Sequence, residues 1–250
     1  MQAPQSVIDG RDIPAAIGFL TRLPVRVDGA WAATRGARVA WAYPLAGAVI
    51  GILLCAVGWI SLGTGASFAA ALVLAVSVIV TGGLHEDGLA DSADGLWGGW
   101  TPERRLEIMK DSRIGAYGVM ALVLTLLLRW LGISAALGAD AWWALIALPA
   151  MSRAAMVPIM ALPHARPGGV SATVGRPPAP TILIAVAIGV VAVLPLGTVA
   201  FWIFIAALIL ATAAAVIAMA KIRGQTGDIL GATQQLTEIA GWAVLAAALT

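Results

Sequence analysis

The sequence predicts an all-α fold: a polytopic membrane bundle of about seven transmembrane helices, with short interfacial helices on the cytoplasmic side. Three observations carry that prediction. Of 250 residues, 60% are hydrophobic and 11% charged, against about 25% charged in an ordinary soluble domain. Apolar stretches recur that are long enough for a hydrocarbon core needing about 20 residues. The basic residues, finally, collect in alternate linkers.

The whole chain, 1–250, reads as one membrane-embedded domain. Residues 1–40 form its basic N-terminal segment, with Arg11, Arg22, Arg26, Arg35 and Arg38. They lack the apolar core and cleavage site of a secretory signal, so the segment is expected to be retained. Ile13, Ile17, Leu20 and Leu23 repeat at helical spacing, which suits a short helix in the cytoplasmic headgroup region. Pro14 fits its first turn and Pro24 ends it. Arg22 is placed there to anchor the helix or to reach an anionic substrate. The first spans run from about Trp41 to Leu62 and Ser67 to Leu84, joined by uncharged Gly63-Thr64-Gly65-Ala66.

The second span feeds into His85-Glu86-Asp87-Gly88-Leu89-Ala90-Asp91-Ser92-Ala93-Asp94-Gly95, and its helix is expected to continue through Asp94. On a helix Asp87, Asp91 and Asp94 share one narrow face, Glu86 lies to the side, and His85 points almost the opposite way. Like charges gathered on one face call for a counter-ion. Hard oxygen ligands with no thiol nearby indicate Mg²⁺, with Mn²⁺ as the alternative. The only cysteine, Cys55, lies in an apolar run, which excludes a disulfide framework and a thiolate metal site.

Thr101-Pro102-Glu103 reads as an N-cap, a first-turn proline and an early carboxylate opening an interfacial helix. Together with the acidic motif this makes 85–115 a cytoplasmic unit. It ends in Lys110-Asp111-Ser112-Arg113, where basic groups can hold phosphate oxygens and Asp111 a metal, or where they form a surface ion-pair patch. Further spans are expected at about 116–136, 141–162, 181–197, 199–220 and 229–250.

Of 15 Lys and Arg residues, 13 fall before the first span or in 101–115, 163–180 and 221–228. The positive-inside rule then places the N-terminus and all large linkers in the cytoplasm and the C-terminus outside. Arg129 and Arg153 fall within spans. Arg129 is expected to snorkel to the outer face. Arg153, about 13 Å into its helix, needs a partner, either Glu238 or a substrate phosphate. In the last polar stretch, Gln225 and Thr226 precede Asp228, and Asp228, Gln235 and Glu238 fall within about 80° on a helix. That face is expected to line a cavity shared with the second span. Pro163-His164-Ala165-Arg166-Pro167-Gly168-Gly169 is a candidate cover over an anionic ligand.

An acidic, metal-binding site at the mouth of a bundle, ringed by basic groups, suits transfer of a phosphoryl-linked group. No Walker-type loop is present, which argues against an ATP-driven pump. Phe19-Leu20-Thr21-Arg22-Leu23-Pro24-Val25, GGLHEDGLADSADG at 82–95, LEIMKDSRIGAYG at 106–118 and GQTGDILGA at 224–232 resemble the signature blocks of the cobalamin synthase family. They stand in the family's order and span nearly the whole chain. The 163–180 linker differs from the fuller Arg-Glu-Gly-Leu-Gly type.

The resemblance implies a Mg²⁺-dependent bacterial inner-membrane enzyme, an adenosylcobinamide-GDP ribazoletransferase. Such an enzyme joins adenosylcobinamide-GDP to α-ribazole or its 5′-phosphate and releases GMP, completing the nucleotide loop. Its partners would be these substrates, membrane lipids and other late cobalamin-pathway enzymes, with no nucleic acid. In that chemistry Asp87, Asp91, Asp94, Glu86, Asp228 and Asp111 are the candidate metal ligands, and Asp91, Asp94 and His85 the candidate catalytic groups. Arg22, Lys110, Arg113, Arg153, Gln225, Thr226, Gln235 and Glu238 are the candidate contacts to substrate and phosphate. Two rival readings are a CDP-alcohol-phosphotransferase-like phospholipid synthase and a cation-coupled transporter using Arg153 and Glu238 as switches.

Overall fold

Helices that cannot face lipid sit in the middle of the bundle, and those that can surround them. The computed structural model describes residues 6–249; the first five and the last residue of the expected 1–250 domain lie outside that range. Among the described residues the elements are helical, apart from an isolated bridge between His164 and Gln225.

The amphipathic helix expected at the N-terminus is α1 (Asp12–Leu20), followed by α2 (Gly29–Arg35). Asp12 is fully buried and accepts bonds from the Arg35 guanidinium and from Trp41 Nε1 at 2.7 Å. This pair fixes the basic segment against the start of α3 (Tyr43–Ser61). α4 (Ala66–Thr81) then leads to α5 (Leu84–Gly98), which carries the acidic motif.

The helix does not run straight through Asp94 as expected. Gly82 and Gly83 adopt φ of +65° and +68°, a backbone that only glycine takes without strain. The axis turns by 86°. α5 therefore lies across the direction of α4, and exposed Trp97 and Trp100 at its far end suit an interface. α6 (Pro102–Ile108) starts as predicted, with the Thr101 hydroxyl accepting from Arg104 N at 3.2 Å.

α7 (Ala116–Gly138), α8 (Ala144–Ile159), the short α9 (Val170–Val174), α10 (Ala179–Val193), α11 (Val199–Ile222) and α12 (Gly227–Leu249) complete the chain. Four helical stretches are long and apolar enough to cross a membrane: Gly29–Thr64, Ala116–Gly138, Ala179–Leu196 and Val199–Ile222; the bent α4–α5 pair makes a fifth if taken as one span. The chain is a membrane-embedded helical protein, but the count of seven spans is not reproduced. α8 has only 16 residues, and α12 carries Thr233, Gln234, Gln235, Thr237 and Glu238, all buried. These two are the central helices. α12 packs against α5, α7, α8 and α11, and α8 against α3, α10 and α12.

Their polar side chains form a closed layer. Arg129 donates to Glu86 at 2.6 Å and Glu238 at 3.2 Å, and bonds Ser77 Oγ at 3.0 Å. Arg153 reaches Glu238 at 3.4 Å and the Pro149 carbonyl at 3.1 Å. Arg129 is 2% exposed, so it does not snorkel. Two carboxylates waiting inside the bundle give its guanidinium a better partner than the headgroups.

Candidate active site

Where the first turns of α5 and α12 meet, the chain leaves a cavity at one end of the bundle. Position 88 has to be glycine for that meeting. A Cβ there would lie 2.9 Å from the Asp228 carbonyl oxygen and 3.2 Å from the Gly231 Cα, and backbone cannot yield as a flexible side chain does. The cavity measures about 370 Å³. His85, Asp87, His164, Arg166, Thr226 and Asp228 form its polar wall, and Phe19, Tyr43, Met156 and Met160 much of its apolar wall.

Asp87 and Asp91 lie one turn apart on α5, the first exposed and the second half-buried, and neither carboxylate has a hydrogen-bond or ion-pair partner among the described residues. α5 lies outside the four crossing helices. Burial, followed by the charges of Asp87, Asp228 and Asp94, pushes the Asp91 carboxyl up to about 7. Asp228 accepts from Thr226 Oγ1 at 3.0 Å and from Arg166 at 3.3 Å. Arg166 also donates to the Leu106 carbonyl at 3.3 Å. His85 lines the cavity despite its place on the opposite side of an ideal helix, because the space wraps around the first turn of α5. Its ring is 1% exposed, yet neither nitrogen has a hydrogen-bond partner.

Other predicted site residues are spent elsewhere. Asp94 accepts from Gly115 N at 2.7 Å and Gly118 N at 2.9 Å. Both its oxygens therefore serve the first turn of α7, where free amides and the helix dipole favour an anion. Of the three acids expected on one face, Asp87 and Asp91 keep unpaired carboxylates, and the charge of Asp228 from α12 also reaches Asp91. Glu86 turns into the buried layer, held by Arg129 and by Gln235 Nε2 at 3.1 Å. Arg153, Gln235 and Glu238 lie in that same layer and do not line the cavity. Glu238, one of the two partners anticipated for Arg153, is the one it has.

Asp111, Lys110 and Arg113 form an exposed patch away from the cavity. The Arg113 side chain and amide hold the Asp111 carboxyl down at about 2, so this acid is already neutralised. Arg22 is exposed, its amide bonded to the Val80 carbonyl at 2.7 Å, and it packs on Gly82 beside the bend. Thr226 and Gln225 both line the cavity, the latter with both ends of its amide engaged by Ser171 and His164.

Three contacts escaped the sequence. The 163–169 linker was a candidate cover over an anionic ligand, but nothing in the spacing tied Arg166 to Asp228. Likewise, nothing joined His164 and Ser171 to Gln225, whose bridge to His164 brings them to the wall. The Asp12–Arg35 pair joins residues 23 apart with no local pattern to reveal it.

Among the described residues no three His, Cys, Asp or Glu side chains gather closely enough to form a ready metal cage. The donor set nevertheless fits Mg²⁺, which keeps several waters and is usually held by one or two carboxylates together with substrate phosphates. The Asp87 and Asp91 carboxylates lack any partner among the described residues, Asp228 is held by the Thr226 hydroxyl at 3.0 Å and by Arg166 at 3.3 Å, both on one oxygen, and all are hard oxygen donors.

Residues 12–246 match the family model described as cobalamin-5-phosphate synthase. An adenosylcobinamide-GDP ribazoletransferase of Bradyrhizobium diazoefficiens is 45% identical over 237 residues, which is 91% of this chain and 90% of the relative. Proteins of the same name from Rhizobium meliloti and Brucella anthropi are 43% and 42% identical, each over 95% of this chain and 97% of the relative. No solved structure matches.

Proposed function

Since the chain belongs to the cobalamin-5-phosphate synthase family, we propose that it is a ribazoletransferase of the bacterial inner membrane. It joins adenosylcobinamide-GDP to α-ribazole, or to its 5′-phosphate, and releases GMP. The observation that carries this reading is the cavity itself. Unpaired Asp87, and Asp228 with its 3.3 Å contact to Arg166, share its wall with Arg166 and His164, and unpaired Asp91 stands one turn along α5 from Asp87. That is the charge pattern a pyrophosphate and its cation require.

The ribose hydroxyl of ribazole attacks the phosphorus on the cobinamide side, and GMP departs. Asp87, Asp91 and Asp228 would hold Mg²⁺, which supplies neutralisation of charge on the pyrophosphate oxygens. Arg166 exchanges its 3.3 Å contact with Asp228 for a phosphate oxygen. His85 would hold the attacking hydroxyl or take its proton, a role supported by its place on the cavity wall and its two unpartnered ring nitrogens. The apolar wall around Phe19, Tyr43 and Met156 excludes water from the reacting groups. By the distribution of basic residues, the N-terminus and this cavity face the cytoplasm.

Purified protein supplied with adenosylcobinamide-GDP, α-ribazole and Mg²⁺ should release GMP as the corrinoid product forms. Asp87→Asn should reduce turnover at least ~100-fold, as removal of electrostatic stabilisation of a transferring group does. No GMP from wild type, or CMP from a CDP-activated alcohol instead, would discard the reading.

A further inference from the structure

Gln225 is 1% exposed, and although it lines the cavity both ends of its side-chain amide are engaged within the protein. Its backbone clasps the 163–175 segment: Gln225 N donates to the Pro163 carbonyl at 2.7 Å, and Ala165 N donates to the Gln225 carbonyl at 2.9 Å. Its side chain continues the clasp. Ser171 Oγ bonds Gln225 Oε1 at 2.6 Å, and Gln225 Nε2 meets His164 Nδ1 at 2.9 Å. The shorter distance fits O–H···O and is short for N–H···O, which fixes the amide with its oxygen towards Ser171. Its nitrogen then faces His164.

An amide nitrogen can only donate, so His164 Nδ1 must accept. A neutral imidazole that accepts at Nδ1 carries its proton on Nε2. Nε2 has no partner among the described residues, and His164 lines the cavity together with Arg166, Asp87 and Asp228. A donor locked in one tautomer beside a guanidinium, in a space whose carboxylates want a cation, is built for an oxygen bearing negative charge.

We propose that His164 is a substrate-contacting residue whose Nε2–H donates to a phosphate oxygen, with Ser171 and Gln225 as the positioning residues that set its tautomer. This rests on the transferase reading given above. Two sources offer the same phosphate chemistry, the pyrophosphate of the activated corrinoid and the 5′-phosphate of ribazole phosphate.

Two substitutions separate the two ends of the ring. His164→Asn keeps an acceptor near the Nδ1 position for Gln225 and removes the Nε2 donor. His164→Gln places an amide N–H near the Nε2 position and gives up the tie to Gln225. A lost hydrogen bond to a charged group corresponds to about 10–100-fold. His164→Asn should therefore lose that much in kcat/KM, and His164→Gln should recover most of it. Equal losses with α-ribazole and its 5′-phosphate assign the contact to the donor's pyrophosphate; a loss confined to the phosphorylated acceptor assigns it to the 5′-phosphate.

The reverse ranking, in which Asn is active and Gln is not, would show that only the tie to Gln225 matters and would overturn the proposal. Unchanged kinetics in both variants, or equal loss in both, would overturn it as well. Calorimetric binding of inorganic pyrophosphate with Mg²⁺ needs no turnover and should rank the three proteins in the same way. If wild type released no GMP, the transferase reading would fall, and this binding series would still decide the role of His164.

Discussion

Replacing Asp94 by Asn tests whether the acidic motif holds one kind of carboxylate or two. Asp94 is 8% exposed and accepts from Gly115 N at 2.7 Å and Gly118 N at 2.9 Å. An Asn keeps one acceptor and turns its NH₂ against an amide that can only donate. Losing one charge-assisted bond and stranding a buried donor costs about 2–4 kcal/mol. Removing the anion from the α7 N-terminus adds roughly 0.3–1 kcal/mol. The stability loss expected for Asp94→Asn is therefore about 2–5 kcal/mol. Asp87→Asn, at an exposed carboxylate with no partner, should stay within about 0.5 kcal/mol of wild type. Unfolding free energies from SDS titration in mixed micelles, with Mg²⁺ binding read on the folded fraction, compare the two. Asp94 is a helix cap if its variant is unstable yet binds Mg²⁺ as wild type does. A stable Asp94→Asn that no longer binds the ion would refute this account and return Asp94 to the metal.

Glu238→Gln should destabilise by about 3–5 kcal/mol, because it leaves Arg129 and Arg153 sharing the single carboxylate of Glu86 in a buried layer. KM of the folded fraction should not change, since that layer lies outside the cavity. Adding a methyl by Gly88→Ala should separate α5 from α12, the new Cβ meeting Asp228 backbone at 2.9 Å. Turnover should fall at least ~10-fold, at a stability cost of about 1–3 kcal/mol for overpacking. With the Asp91 carboxyl at about 7 in the absence of a cation, Mg²⁺ must displace a proton below that pH. Affinity should rise with pH through 7 and level off above it. Calorimetry in buffers of different ionisation heat should detect about one proton released per ion at pH 6, and Asp91→Asn should abolish that release.

Partners distant in sequence redistributed the predicted site. Helical spacing put Asp87, Asp91 and Asp94 on one face, and α5 is indeed a helix there. Yet spacing along one element says nothing of what approaches that face. The start of α7 claimed Asp94, and Arg129, 43 residues away, claimed Glu86. Arg153 and Glu238 were each legible as costly intramembrane charges in need of partners. Their closure into one layer with Arg129 also removes the free pair that a transporter switch would need.

Composition and hydropathy by themselves determined that the chain folds as helices in a membrane, because a bilayer forces each backbone to satisfy its own hydrogen bonds. The acidic block and the glycines within it likewise marked one end of the bundle as the candidate site. Which helices lie in the centre was decided only by tertiary structure. α8 and α12 are buried by their neighbours, so they need neither the length nor the apolarity of a lipid-facing span. The same holds at the cavity. The loop of His164 and Arg166 was legible as a candidate cover, but what it covers follows only from the Gln225 backbone that holds it at the cavity, since a contact across some 60 residues leaves no period in the sequence.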